Sequence, residues 1–290
     1  MKIHNTLPIF VDCLKRWKEL PTADQFEREF ASQLAPVVGD FFEDFHSALE
    51  DLNWEDYRGE AMHIDPVREE ARVRSRLAQL EELFGFKLEG EIFLLGAFTT
   101  MDGFARFDRG RHRVYLGMDE SHGRGQYLDV LITHELTHVA RETRPEIWHA
   151  LGLDPKMPRE VYLEAMSAIE HLFSEGFSCV ISELLVPDEK PWGYVYQTED
   201  SLKQVLQHGP AIDRYIHREL KRRDGGDYGN FYDVDSYGPE LPDYTHYVWA
   251  WQWVKHLLRE RAGGDPRRLV VIPSASLLQD ALKFRFVALT

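Results

Sequence analysis

The sequence predicts an α+β fold that is predominantly helical, with one small β-sheet. Three observations carry this. Apolar residues recur at i, i+3 and i+4 through most of the chain, as in helices that bury one face. Only between Glu91 and Gly117 does this give way to short apolar runs parted by turn residues, the pattern of a few strands. No apolar stretch approaches the ~20 residues that a membrane-spanning helix needs. Residues 1–290 are expected to form a single unit, with a helical N-terminal part over 1–88 and a core over 89–290.

Pro8 to Leu20 reads as a first helix. A second begins at Thr22, whose hydroxyl and Gln25 three residues on make a capping-box pattern. Phe26, Phe30, Leu34, Val37, Val38, Phe41, Phe42 and Phe45 form an apolar stripe that packing into a core explains. Asp51 to Asp65 reads as a loop, and Asp65-Pro66 opens another helix with a solvated charged face. Ile92–Leu95, Phe104–Phe107 and Arg113–Leu116 are strand candidates, with Asp108-Arg109-Gly110-Arg111 turning between the last two. Gly117, Gly123 and Gly125 mark a loop before Leu128. One long helix is expected from Arg159 to Leu185, another from Glu199 to Arg223, and a third from His246 to Arg261. Between the last two, Asp224 to Pro242 is rich in turn residues, and the tail after Pro273 has room for one short helix.

The formal net charge of -15 argues against non-specific nucleic-acid binding, which depends on clustered Lys and Arg neutralising phosphates. Two cysteines, Cys13 and Cys179, do not make a secreted disulfide framework. The N-terminal apolar run is too short for a signal peptide and meets Asp12 at once. A cytoplasmic protein with neither a nucleic-acid nor a membrane partner is the expectation.

The chemistry concentrates in Leu128 to Glu142, where Leu128, Leu131, Ile132, Leu136 and Val139 define an amphipathic helix. His134 and His138 lie one turn apart on one face, so two imidazoles can grip one cation, and Zn²⁺ suits imidazole plus carboxylate. Glu135 flanks them as a base for a water on that ion. This is the H-E-x-x-H arrangement of a zinc hydrolase. A third protein ligand is then needed. Arg144 occupies the position where one local scheme has a histidine, and His149 fits no defensible spacing. Glu175 is the better candidate, with Glu164, Glu170 and Glu183 as fallbacks on the same expected helix. Gly176 beside it, costly in a helix interior, is explained by close approach of the two ligand helices. His171 and Cys179, one turn to either side of Glu175, have bland packing roles as their simplest reading.

His134-Glu135-Leu136-Thr137-His138 followed by Glu175-Gly176-Phe177-Ser178 resembles the gluzincin branch of zinc metallopeptidases, over roughly residues 90 to 260. It is particularly similar to uncharacterised bacterial proteins described as predicted Zn-dependent proteases. The resemblance implies a zincin-like fold with a small sheet beside the His134 helix. It implies His134, His138 and Glu175 as zinc ligands, Glu135 as general base, and a peptide or protein substrate. It further implies an edge strand for that substrate, which Arg113 to Gly117 fits by position, and a Tyr or His that stabilises the oxyanion. Tyr247 is the first choice for that role, with His246 and Tyr244 behind it. Where such enzymes carry an Asp supporting a zinc histidine, this chain has Cys179. The rival readings are a metal-dependent amide hydrolase that is not a peptidase, and a non-catalytic zinc-containing binding protein. For the latter, Trp249, Trp251 and Trp253 would supply an interaction face.

Overall fold

The computed structural model describes residues 1–39, 42, 49–50, 52–108, 111–119, 126–222, 226–237 and 240–286. Phe41, Phe45, Asp51, Arg109, Gly110, Gly123, Gly125, Arg223 and Asp224, named above, lie outside these. The secondary structure is predominantly helical with a small four-stranded sheet, an α+β arrangement. Chain contacts divide it into two units, residues 1–78 with 87–132, and residues 79–86 with 133–290.

The first unit holds the sheet. Its strands are β1 (Lys2–Asn5), β2 (Glu91–Leu95), β3 (Gly103–Asp108) and β4 (Arg111–Gly117), in the order β1-β2-β4-β3. β1 and β4 run parallel to β2, and β3 pairs antiparallel with β4. Two expectations change here. β1 was legible neither as a strand nor as a helix, because four residues carry too little pattern. The segment Arg113 to Gly117 is not an edge, since β2 and β3 flank it on both sides; β1 and β3 are the outer strands. One aromatic ring from each strand stacks across the sheet, His4 on Phe93 at 4.7 Å, Phe93 on Tyr115 at 5.0 Å and Tyr115 on Phe104 at 5.0 Å.

Around the sheet lie α1 (Leu7–Arg16), α2 (Ala23–Phe26), α3 (Ser32–Val38) and α4 (Trp54–Ala61), with a π-helical turn over Glu27–Ala31. Thr22 caps α2 through the Gln25 amide, as the pattern predicts. The stripe residues Phe26, Phe30, Leu34, Val38 and Phe42 are buried in an aromatic cluster with Phe10, Trp17 and Phe98. α4 replaces the expected loop: apolar Trp54 and Ala61, buried at its ends, anchor an otherwise polar helix. α5 (Pro66–Phe84) starts where Asp65 accepts hydrogen bonds from the Val67 and Arg68 amides.

The second unit is helical among the described residues. The part of α6 (Tyr127–Glu142) from Thr133 on carries the histidines and is followed by α7 (Pro145–Ala150), with Pro145 in its first turn. The expected long helix is two, α8 (Arg159–Ala165) and α9 (Ala168–Leu185). Met166 and Ser167 turn extended between them, and the Ser167 hydroxyl accepts from the Glu170 amide to start α9. The apolar period runs through this cap, which hides it from a periodicity argument. The next helix also divides, into α10 (Glu199–Gln207) and α11 (Gly209–Leu220), because Pro210 opens a new first turn. α12 (Thr245–Glu260) and the short α13 (Leu278–Lys283) complete the unit.

α9 and α12 pack against each other. A Cβ on Gly176 would lie 2.4 Å from the Ala250 carbonyl oxygen, so only glycine admits the approach. The glycine therefore serves contact with α12, not with α6 as first read. Trp249, Trp251 and Trp253 are buried, with the Trp249 indole donating to Asp213 and that of Trp251 to Glu183. An interaction face built on these tryptophans is excluded by that burial. No helix among the described residues is long and apolar enough to cross a membrane.

Candidate metal centre

His134, His138 and Glu175 come together as a buried cluster whose ligand atoms all lie within 4.8 Å of one another. Helical periodicity brings the two rings to one face of α6, centroids 4.8 Å apart. Glu175 reaches them from α9. Its Oε2 lies 3.1 Å from His134 Nε2 and 3.4 Å from His138 Nε2. A tetrahedral zinc with bonds of about 2.0–2.2 Å would hold neighbouring ligand atoms about 3.3–3.6 Å apart. The two imidazoles and the carboxylate suit a small divalent ion in donor type, and their ligand atoms lie close enough together to share one.

The electrostatics of the cluster are strongly coupled. Burial pushes His138 down, but the Glu175 carboxylate, with Glu135 and Glu142 adding to it, outweighs this and raises the imidazole to about 9. Burial pushes Glu175 up, while His138 and the hydrogen bond from His134 hold it well below the usual carboxylate range. Glu135 is itself buried on α6, near enough for its charge to act on His138.

Ser174 Oγ stands 3.0 Å from His138 Nδ1. For Nε2 to be the ligand atom, Nδ1 must carry the proton and donate it to this hydroxyl. Ser174, just before Glu175, thus stands against the His138 ring nitrogen. Cys179 is a buried thiol, pushed well above its ordinary value by burial and by the Glu175 charge. His171 Nδ1 lies 3.8 Å from Glu175 Oε1, and its Nε2 lies 3.3 Å from His246 Nε2. Burial pushes both of these imidazoles down, His246 the further.

Tyr247 also reaches the cluster. Its ring lies parallel to that of His134 at a centroid distance of 6.1 Å, and its hydroxyl is 3.5 Å from that of Tyr232. Burial and the Glu175 charge push its phenol well above the ordinary range, so the hydroxyl keeps its proton and can donate a hydrogen bond. Of the two runners-up, His246 is turned toward His171 and Tyr244 is exposed. Tyr196 sets its edge against His134 at 5.2 Å. Tyr196 and Tyr244 hold left-handed backbones, φ 56° and 58°, a strain that surrounding structure must sustain. One such support is the Gln197 amide, which donates to the Asp243 carbonyl at 2.5 Å and ties the two loops.

The fallback ligands are engaged elsewhere. Glu170 pairs with Arg141, Glu183 with Trp251 and Lys255, and Glu164 is exposed. His149 is exposed on α7. Sequence reading missed Ser174, Tyr196 and Tyr232. Ser174 had a signal, its place beside the candidate ligand; Tyr232 had none, lying in a turn-rich stretch that folds as a short 3₁₀ helix over Tyr228–Tyr232. No family model, curated protein or solved structure matches the chain.

Proposed function

We propose that the protein is a zinc-dependent metallopeptidase with a zincin-like fold, hydrolysing peptide bonds of a peptide or protein substrate. The single observation that carries this is the buried His134/His138/Glu175 cluster with Glu135 next to its first histidine. A purely structural ion needs no base beside its ligands, and Glu135 supplies one.

A bound zinc ion supplies Lewis acidity, which lowers the pKa of a water and polarises a carbonyl. The chain's residues do the rest. His134, His138 and Glu175 hold the ion, and Ser174 keeps the His138 proton on Nδ1. Glu135 takes the proton of the attacking water and hands it to the leaving amine. Tyr247, kept protonated by its surroundings, donates to the oxygen on which negative charge develops.

The test is metal content of protein purified without chelators, beside Glu175→Ala, then a peptide-library assay with Glu135→Gln as control. One zinc in the parent, its loss in Glu175→Ala, and cleavage abolished by Glu135→Gln support the reading. No metal in a folded parent after zinc resupply refutes it. Metal without cleavage of any peptide favours the non-peptidase hydrolase or the binding protein.

A further inference from the structure

We propose that Arg141, Glu170 and Ser174 are positioning residues, the fixed rungs of a polar ladder between α6 and α9 that sets the register in which Glu175 meets the histidines. This rests on His134, His138 and Glu175 being the ligand set. The ladder has three rungs. His134 meets Glu175 at 3.1 Å, His138 meets Ser174 at 3.0 Å, and Arg141 meets Glu170 through two hydrogen bonds of 2.7 Å. Partners ascend in number on α6 as they descend on α9, so these two segments run antiparallel. His134, His138 and Arg141 follow i, i+4 and i+7, one face of a helix; Glu170 and Ser174 likewise share a face.

The end rung fixes the register. Both guanidinium nitrogens of Arg141 that face Glu170 are engaged, one on each carboxylate oxygen, a fork that fits in one alignment. A slip of one helical turn would carry Glu175 about 5.4 Å along the helix axis, beyond reach of either imidazole. The pair is buried and saturated: Tyr162 donates to Glu170 at 3.0 Å, Arg141 donates to the Val270 carbonyl at 3.3 Å, and its guanidinium lies 4.3 Å from the Phe173 ring centre. Ser167 fixes the start of α9 at the Glu170 amide. Stability alone gives weak reason for such a pair, because burying two charges costs roughly what their attraction returns and an apolar pair serves as well. Alignment of the ligand helices is what an apolar pair cannot supply.

The experiment compares the parent with the apolar double variant Arg141→Met/Glu170→Leu, with Arg141→Lys, and with Ser174→Ala and Ser174→Thr. Zinc affinity is read by competition with a chromogenic chelator, ligand geometry by the visible bands of the cobalt-substituted protein, and folding by thermal midpoint. The double variant, which leaves the Tyr162 hydroxyl without its acceptor, is expected to fold with a lowered midpoint and to bind zinc about 10–100-fold more weakly, with altered cobalt bands. Ser174→Ala is expected to weaken zinc about 10-fold and Ser174→Thr, which keeps the hydroxyl, to restore it. Should the double variant not fold, Arg141→Lys, which keeps the charge but not the fork, carries the same expectation. Parental affinity and cobalt bands in the folded end-rung variant and in Ser174→Ala overturn the proposal. If the parent itself takes up neither metal, the proposed function falls. Crystal structures of parent and variant then decide the ladder: Glu175 displaced from both histidines upholds it, and unchanged distances refute it.

Discussion

Two helical glycines should respond to alanine with opposite signs, and the structure says which is which. At Gly176 the added Cβ would lie 2.4 Å from the Ala250 oxygen, 2.6 Å from its carbonyl carbon and 2.9 Å from Val254 Cγ2. Ordinary contact begins at 3.4 Å, so α9 and α12 would have to part by about 1 Å, the difference between 3.4 and 2.4. The obstacle is backbone, which cannot rotate away. Alanine gains about 0.5–1 kcal/mol of helix propensity, against about 1–3 kcal/mol for overpacking a close-packed interface. Taking the middle of each range, the net expectation is a loss of about 1 kcal/mol, read as a thermal midpoint a few degrees lower by circular dichroism. Zinc affinity should fall with it, since Glu175 is the adjacent residue. Gly59, inside α4 with nothing within 4 Å of its added Cβ, is the control. Gly59→Ala should stabilise by about 0.5–1 kcal/mol. A Gly176→Ala protein as stable as the parent would refute the close approach of α9 to α12.

Two further perturbations probe separate parts of the molecule. Tyr247→Phe should lower kcat on a cleaved peptide by about 10²–10³-fold with zinc content unchanged, as for loss of one oxyanion donor; an unchanged kcat would move the role to another group. In the first unit, Glu91 is buried against Arg113 at 3.1 Å and also meets His4 and Arg111. Burial pushes its carboxyl up, but the His4 hydrogen bond and the Arg113 charge hold it below the usual value. A lowered folded pKa means the charge stabilises the fold above the unfolded value and ceases to as pH falls through the folded one. Glu91→Gln should therefore destabilise the fold at pH 7, and the gap between variant and parent midpoints should narrow below pH 4.5. A gap independent of pH would show that the charge plays no part.

Much of the candidate site was legible in the sequence because its first part is local. A helix repeats every 3.6 residues, so His134 and His138 share a face of α6 whatever surrounds them, and Glu135 follows as their neighbour. The same reasoning located β2, β3 and β4, the Thr22 cap and most helices, each specified by residues within a turn or two. Glu175 was reachable only through its glycine and its helix, and the reason given for Gly176 named the wrong neighbour.

What the sequence by itself determined is thus the helical scaffold, the small sheet and the pair of histidines on one face. The tertiary structure decided everything that depends on pairing between distant segments. It placed β4 inside the sheet, because strand order depends on long-range hydrogen bonds that no single strand's pattern encodes. It brought Glu175 from α9 to the histidines, gave His138 the Ser174 hydroxyl, and turned Glu170 to Arg141 instead. Four glutamates on the expected helix, Glu164, Glu170, Glu175 and Glu183, had similar claims as ligands by composition. Helix register distinguishes them, because a shift of one residue turns a side chain about 100° around the axis. That register is a property of two packed helices, and neither sequence segment contains it alone.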